Sequence, residues 1–199
     1  MAQDVNNHEY EELEPTLSRR GDPNFVKWTS QLTALSSSGV SIREATADAY
    51  DGRRMRDLQV VCSPISVQSV RNNASTIAEC RVLLAEVDDV HIGFCVSALG
   101  LRNSDPLYIK VVAVAPDAQR RGAGMALLSA AAEQWPRRDI ALATQNENAA
   151  ARALIERFAA SIGASIQRTR LDRYRDSDLG IQRGWGYRAW AIERPPVAL

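Results

Sequence analysis

Only three cysteines, Cys62, Cys80 and Cys95, occur in 199 residues. An odd set without paired or metal-ligand spacing excludes a disulfide framework and reads as reduced core thiols of a cytoplasmic protein. Histidine is rarer still, at two residues, and no metal site is expected. No sign of charge dominates, since 24 Lys and Arg balance 24 Asp and Glu. That balance gives no bulk attraction to nucleic acid or to a membrane surface, so neither is an expected partner. No apolar run is long enough to span a bilayer. The opening Met1-Ala-Gln-Asp4 carries no apolar stretch of the secretory kind. Against these absences stands a hydrophobic content of 45%, enough for one core with an appendage.

Residues 111–128 carry the most information. Residues 107–115 are apolar and β-branched apart from Lys110, the pattern of a strand covered on both faces. Pro116 and Asp117 stop it. Gly122 and Gly124 then let backbone N–H groups approach a ligand, and Met125 opens a run of good helix formers. Helix starts usually carry acids, because their unpaired N–H groups are partly positive. Here no acid lies between Asp117 and Glu133, and Arg120 and Arg121 add positive charge. A bound phosphate is the natural complement, and an ordinary exposed strand-to-helix turn is the plain alternative.

Three glycine loops bind phosphate by this logic. A Walker loop requires Lys-Ser or Lys-Thr after its second glycine, and Met125-Ala126 stands there. A dinucleotide fingerprint requires a third glycine and an acid closing the next strand, and Leu127 and Thr144-Gln145 stand there. The third type fits. Gln119-Arg-Arg-Gly-Ala-Gly124, after a Val-Ala-Val-x-Pro strand, resembles the acetyl-CoA loop of the GNAT acyltransferases, whose signature is Gln/Arg-x-x-Gly-x-Gly/Ala. Downstream, the strand 140–144, Asn146 to Asn148, an Ala-rich helix and Ile162-Gly163-Ala164 resemble the family's second motif. The sequence departs from that motif twice. The span from Asn148 to Gly163 is about one helical turn longer than usual, and Ala164 replaces an aromatic residue. The resemblance covers roughly residues 40–194, with the loop as its specific part.

The resemblance implies an α/β fold of GNAT type: a mixed, mostly antiparallel central sheet flanked by helices. Residues 1–38 read as an N-terminal extension, a mobile acidic tail followed by a helix, and residues 39–199 as the acyltransferase domain. Asp22-Pro23 marks the helix start, Phe25, Trp28, Leu32 and Leu35 recur at helical spacing, and Gly39 ends the segment. That stripe packs on the core or on a partner subunit, which leaves a homodimer open. A first strand is expected at 40–46, and helices within 48–61 and 66–80. A hairpin should pair 81–87 with 92–99 across Asp88-Asp89. Further expectations are a helix to about Trp135, a strand from Ile140, a helix over 148–162, and strands at 165–171 and 187–192. An acidic, glycine-rich loop, 176–186, joins the last two strands.

For chemistry, the resemblance implies acetyl-CoA as acyl donor and transfer to a primary amine of a small molecule or peptide. Val112, Ala113 and Val114 would offer main-chain contacts to the pantetheine arm, one N–H polarising the thioester carbonyl. The pyrophosphate would lie on the amides of Arg120, Arg121, Gly122, Ala123, Gly124 and Met125, with Gln119 a first loop contact and Asn148 touching the arm. The proton carriers are not marked by any motif. An amine of pKa about 10.4 must lose its proton before attack. Glu86, Asp88, His91 and Asp105 are candidate bases by their places near the sheet, with packing or solvation the plain reading of each. The family's tyrosine acid is missing, since Ile155 or Ala159 occupies its position depending on the direction of counting, and Phe158 cannot donate. Tyr174 and Tyr187 remain as candidates, although a thiolate of pKa about 8.5 can leave without a dedicated acid. The missing tyrosine motivates an alternative, an acyl-CoA-binding regulatory protein with little or no turnover. Arg168, Arg170, Arg173 and Arg175 read as a solvated strand edge or as an anion-recognition stretch. Trp185 reads equally as acceptor-pocket lining or as packing.

Overall fold

The computed structural model describes residues 21–102, 104–182 and 184–195. The acidic tail expected over residues 1–20 lies outside them. Helix α1 (Pro23–Thr33) starts where Asp22-Pro23 places it, with the Asp22 carboxylate accepting from the Asn24 and Phe25 amides, a cap worth about 1 kcal/mol. Strand β1 (Ser41–Glu44) follows, then α2 (Ala49–Val61) and α3 (Val70–Glu79). Strands β2 (Arg81–Val87) and β3 (Val90–Leu99) form the expected hairpin. Asp88 and Asp89 both take left-handed φ, 51 and 62°, the turn whose twist matches its flanking strands. Strand β4 (Leu107–Val114), helix α4 (Ala123–Glu133), strand β5 (Ile140–Gln145) and helix α5 (Ala149–Ser161) come next. Strand β6 (Ser165–Thr169), a short helical turn α6 (Asp176–Leu179) and strand β7 (Tyr187–Glu193) are the last elements among the described residues.

The seven strands run in the order β1-β2-β3-β4-β5-β7-β6. Only β4 and β5 pair in parallel; every other neighbouring pair is antiparallel. Nearly every residue of β2 and β3 is buried, so both faces of the sheet centre are covered. Helix α4 packs across β2, β3 and β4, while α2 and α3 lie against the sheet away from α4. Leu83, Leu84, Ile92, Phe94, Leu127, Leu128 and Phe158 are among the largest fully buried side chains of the core. The α1 stripe joins it: Phe25, Trp28 and Leu32 are buried in the same cluster. Trp28 stacks on His91 at 4.7 Å and 3°, and its indole N–H donates to the His91 carbonyl at 3.0 Å. Burial pushes the Cys62 and Cys95 thiols up to about 12.

Two irregularities shape the site. A bulge between β3 and β4 pairs Val96 with Val111 and Ser97 with Ile109, which leaves Lys110 without a partner on β3 and bends β4. Beyond Ile109, β4 and β5 part. Their pairing stops at Ile109 and Leu142, after which β4 follows β3 and β5 follows β7. Hence β4 is not covered throughout as its apolar run suggests, and Lys110, Val111, Val112 and Val114 are half-buried. The 176–186 connection also holds more structure than a loop. Leu179 of α6 is buried with Tyr108, Ala141 and Ala189 in a second, smaller apolar cluster.

Candidate functional site

A cavity of about 480 Å³ occupies the wedge between the parted strands. Val111 and Val112 of β4, Ala143 and Thr144 of β5 and Ile155 of α5 line one part of it. Gln59 of α2, Thr76 of α3, Trp185 and Tyr187 line the rest. Buried amides hold the α2–α3 wall in place. Gln59 Nε2 donates to Asn73 Oδ1 at 3.0 Å, Asn73 Nδ2 donates to the Gly52 carbonyl at 3.1 Å, and the Gln68 amide donates to Gln59 Oε1 at 2.9 Å. At Gly52 any Cβ would lie 2.6 Å from the Val70 carbonyl, so the two helices approach there as only glycine allows.

The open edge of β4 has a definite polarity. The Ala115 amide donates to the Ile92 carbonyl at 2.8 Å. Counting back along an antiparallel ladder, in which the inward-bonded residues alternate, Ala113 and Val111 also turn their N–H and C=O groups to β3. Val112 and Val114 therefore turn theirs to the wedge, where β5 is no longer paired with β4. The Gln119 side chain confirms this sense, since its Nε2 donates to the Val114 carbonyl at 3.4 Å.

At its end β4 leads into a turn and then α4. Arg120 and Gly122 take left-handed φ of 65 and 83°, the second a conformation that favours glycine. Gly122 is the N-cap of α4, offers no side-chain cap, and no acid lies in the first turn. The first helical bond runs from the Ala126 amide to the Gly122 carbonyl, 3.0 Å. The Ala123, Gly124 and Met125 amides thus lack an intrahelical acceptor, and the positive helix end is uncompensated. Gly124 has a second role that its place in the loop does not reveal: a Cβ there would meet Leu154 at 3.0 Å, so α4 packs closely on α5. The Arg121 guanidinium donates to the Ser36 and Leu35 carbonyls and ties the segment after α1 to this loop. Asn148 caps α5, its Oδ1 accepting from the Ala151 amide at 2.9 Å, and lines the cavity.

The sequence-derived proton carriers scatter. Glu86 is buried in an ion-pair network outside the cavity lining, accepting from Arg43 Nε and Arg54 Nη1, both at 3.0 Å. Asp51 anchors that network. Burial opposes its ionisation, but the Arg43 guanidinium and the Thr46 amide hold it at about 2. His91 is buried beneath Trp28, where burial, with Arg54 nearby, pushes it down to about 3. Asp88 sits on the hairpin turn, held below the usual carboxylate range by the Ser36 and Ser38 hydroxyls beside it. Asp105 ties the β3–β4 connection, accepting from the Arg102 amide at 2.9 Å. Tyr174 stands edge-on to Tyr108 at 5.7 Å in the second cluster. Neither Asp105 nor Tyr174 lines the cavity, whereas Tyr187 does. Ile155, Phe158 and Ala159 are all buried. No group of three or more His, Cys, Asp or Glu side chains among the described residues could hold a metal ion.

A cavity beside an unpaired strand edge that leads along the chain into an uncapped helix suits a long, phosphate-bearing ligand. The model of the acetyltransferase (GNAT) family matches residues 48–160. The chain belongs to the GNAT acetyltransferase family. No curated protein matches it significantly in sequence. Among solved structures, this GNAT chain is similar to the diaminobutyrate acetyltransferase of Paenibacillus lautus, in complex with L-2,4-diaminobutyric acid and coenzyme A. The TM-score is 0.64 at 20% identity, covering 81% of this chain and 99% of that one. It is also similar to the ribosomal-protein-S18-alanine N-acetyltransferase of Escherichia coli, with TM-score 0.55, 20% identity and 80% and 98% coverage. The IAA acetyltransferase of Bacillus cereus aligns with TM-score 0.54 at 20% identity, over 79% and 100% of the two chains. These likenesses establish the fold: a mixed, mostly antiparallel sheet flanked by helices. The family model spans the glycine loop and both helices of the α2–α3 wall.

Proposed function

We propose that this protein is an acetyl-CoA-dependent N-acetyltransferase acting on a primary amine of a small molecule or a peptide. The observation that carries the reading is that the open β4 edge, which lines the cavity at Val111 and Val112, leads along the chain into the uncapped α4 N-terminus. Acetyl-CoA supplies an activated acyl thioester. Val112 offers it an N–H and a C=O and Val114 an N–H, the Val114 carbonyl being taken by Gln119, and Ala113 keeps the strand in register with β3. The amides of Arg120, Arg121, Gly122, Ala123, Gly124 and Met125 form the anion-binding turn, and no carboxylate in the first turn of α4 competes with a phosphate there. Gln119 steadies the loop through the Val114 carbonyl, and Asn148 fixes the start of α5 at the cavity wall.

An N–H of the wedge-facing edge polarises a carbonyl without reorganising, because β4 is already fixed by β3. Tyr187 is the tyrosine on the cavity wall, and we place it as proton donor to the departing thiolate. Tyr187→Phe should lower kcat at least about tenfold and leave acetyl-CoA affinity in place. An unchanged kcat would remove Tyr187 from the chemistry. Calorimetric titration with acetyl-CoA tests the binding reading, using Gly122→Ala and Gly122→Glu together. A Cβ at Gly122 meets nothing within 4 Å, so both variants share the same backbone strain and only the second adds negative charge. Acetyl-CoA should bind Gly122→Ala at least about tenfold more tightly than Gly122→Glu. Equal affinities would overturn the phosphate-loop reading. Acetyl-CoA binding without thiol release, across a broad amine panel, would favour the regulatory alternative.

A further inference from the structure

Lys110 sits where β4 bulges, and its side chain lines the cavity. It is half-buried, and among the described residues the only side chain its Nζ meets at bonding distance is the weak acceptor Cys80 Sγ, at 3.8 Å. No ion pair joins it to any described carboxylate, including Glu79 on the same wall. A lysine cation in a partly enclosed wall ordinarily has a carboxylate or carbonyl partner, because desolvation without one is costly. Its backbone is fixed: a Cβ at Gly180 would stand 2.8 Å from the Lys110 carbonyl, so the turn after α6 clamps the bulge. Lys110 also lies away from the anion loop, with five residues of extended chain, roughly 16 Å, separating it from Ala115. Phosphate at α4 therefore does not use it. The Lys110 neighbours Cys80, just after α3, and Gly180, just after α6, line the same cavity, whose lining also includes the polar Thr76 and Ser66.

Resting on the acetyltransferase reading, we infer that the acceptor amine carries a carboxylate, which Lys110 binds. One unpaired cation, with Glu79 on the same wall, suits a singly charged anion rather than a phosphate. Lys110 is thus a specificity residue: it selects an amino-acid-like amine over the corresponding plain amine and orients its amino group in the wedge.

The test uses wild-type protein saturated with coenzyme A. It is titrated calorimetrically with pairs that differ only in the carboxylate: 2,4-diaminobutyric acid against 1,3-diaminopropane, lysine against 1,5-diaminopentane, and phenylalanine against 2-phenylethylamine. At least one carboxylate-bearing member should bind roughly tenfold or more tightly than its partner, the effect of one charge-assisted hydrogen bond. Lys110→Met should bring that ratio to within about twofold, and Lys110→Arg should retain most of it. No preference in any pair, or one that persists in Lys110→Met, overturns the inference, as does stoichiometric acetylation of Lys110 itself by mass spectrometry. Acetyl-CoA binding by each protein, measured first, separates the two readings. Its absence in the wild type sinks the acetyltransferase proposal, while its presence without a carboxylate preference sinks only this one.

Discussion

At the scale of single residues, His91 shows how far tertiary burial changes a side chain's chemistry. Near a hairpin turn it reads as a candidate base. In the fold it lies under the Trp28 indole, and its Nε2 has no hydrogen-bond partner. Asp57 is 4.0 Å away and does not prevent the fall to about 3. Because the folded pKa lies below the unfolded value of about 6.5, the unfolded chain binds a proton that the folded chain refuses. Stability therefore falls as pH drops from about 6.5 towards about 3. His91→Phe keeps a flat ring beneath Trp28 and removes the proton site. Between pH 6.5 and 4.5 wild type should lose about 2 kcal/mol more than the variant, read from urea midpoints. Parallel profiles would mean that His91 is protonated in the native state. Glu86 teaches the same lesson, since its network joins Arg43 of β1 and the Asp51/Arg54 pair of α2 to β2, and no local pattern links these three stretches.

At the scale of elements, local signals were largely sufficient. Asp22-Pro23, Asp88-Asp89, Pro116 and Asn148 each punctuate the chain where helices and strands begin or end, because capping and turn chemistry act within a few residues. The bulge at Lys110, the helical turn at α6 and the close approach at Gly124 were not legible. Each depends on a partner far away in sequence: β3, Tyr108 and Leu154 respectively. Likewise the α1 stripe does not say what it covers, and the stacked His91 does. The packing makes α1 part of the cooperative core. Trp28→Ala removes a side chain only 4% exposed, together with its hydrogen bond to β3, and should destabilise the protein by about 3–5 kcal/mol. The loss should appear as a lower midpoint in one transition seen by both fluorescence and circular dichroism. Two separated transitions would show instead that α1 melts independently of the sheet.

At the scale of the whole molecule, the site is made by strands parting rather than by strands pairing. The strand order that puts β7 between β5 and β6 gives β5 a full-length partner on its far side, so it can leave β4 without unravelling. On the other side β3 holds β4 through the bulge and on to Val114. The wedge thus has two rigid walls with an unpaired edge inside. Sequence alone cannot place that edge, because strand apolarity reports burial and not which main-chain groups are bonded. The alternation along β4 makes a residue-by-residue prediction about hydrogen exchange. In the free protein the Val112 and Val114 amides, facing the wedge, should exchange fast, while the Ala113 amide, bonded to β3, should be protected. Acetyl-CoA at a hundredfold excess over Kd should add about 2.7 kcal/mol of stability and slow every amide that exchanges through global unfolding, Ala113 included, by one common factor. A ligand that merely stabilised the whole domain would leave Val112 and Val114 fast, since their exchange needs no unfolding. New protection at Val112 and Val114 requires that the bound molecule itself hydrogen-bond to the open edge of β4.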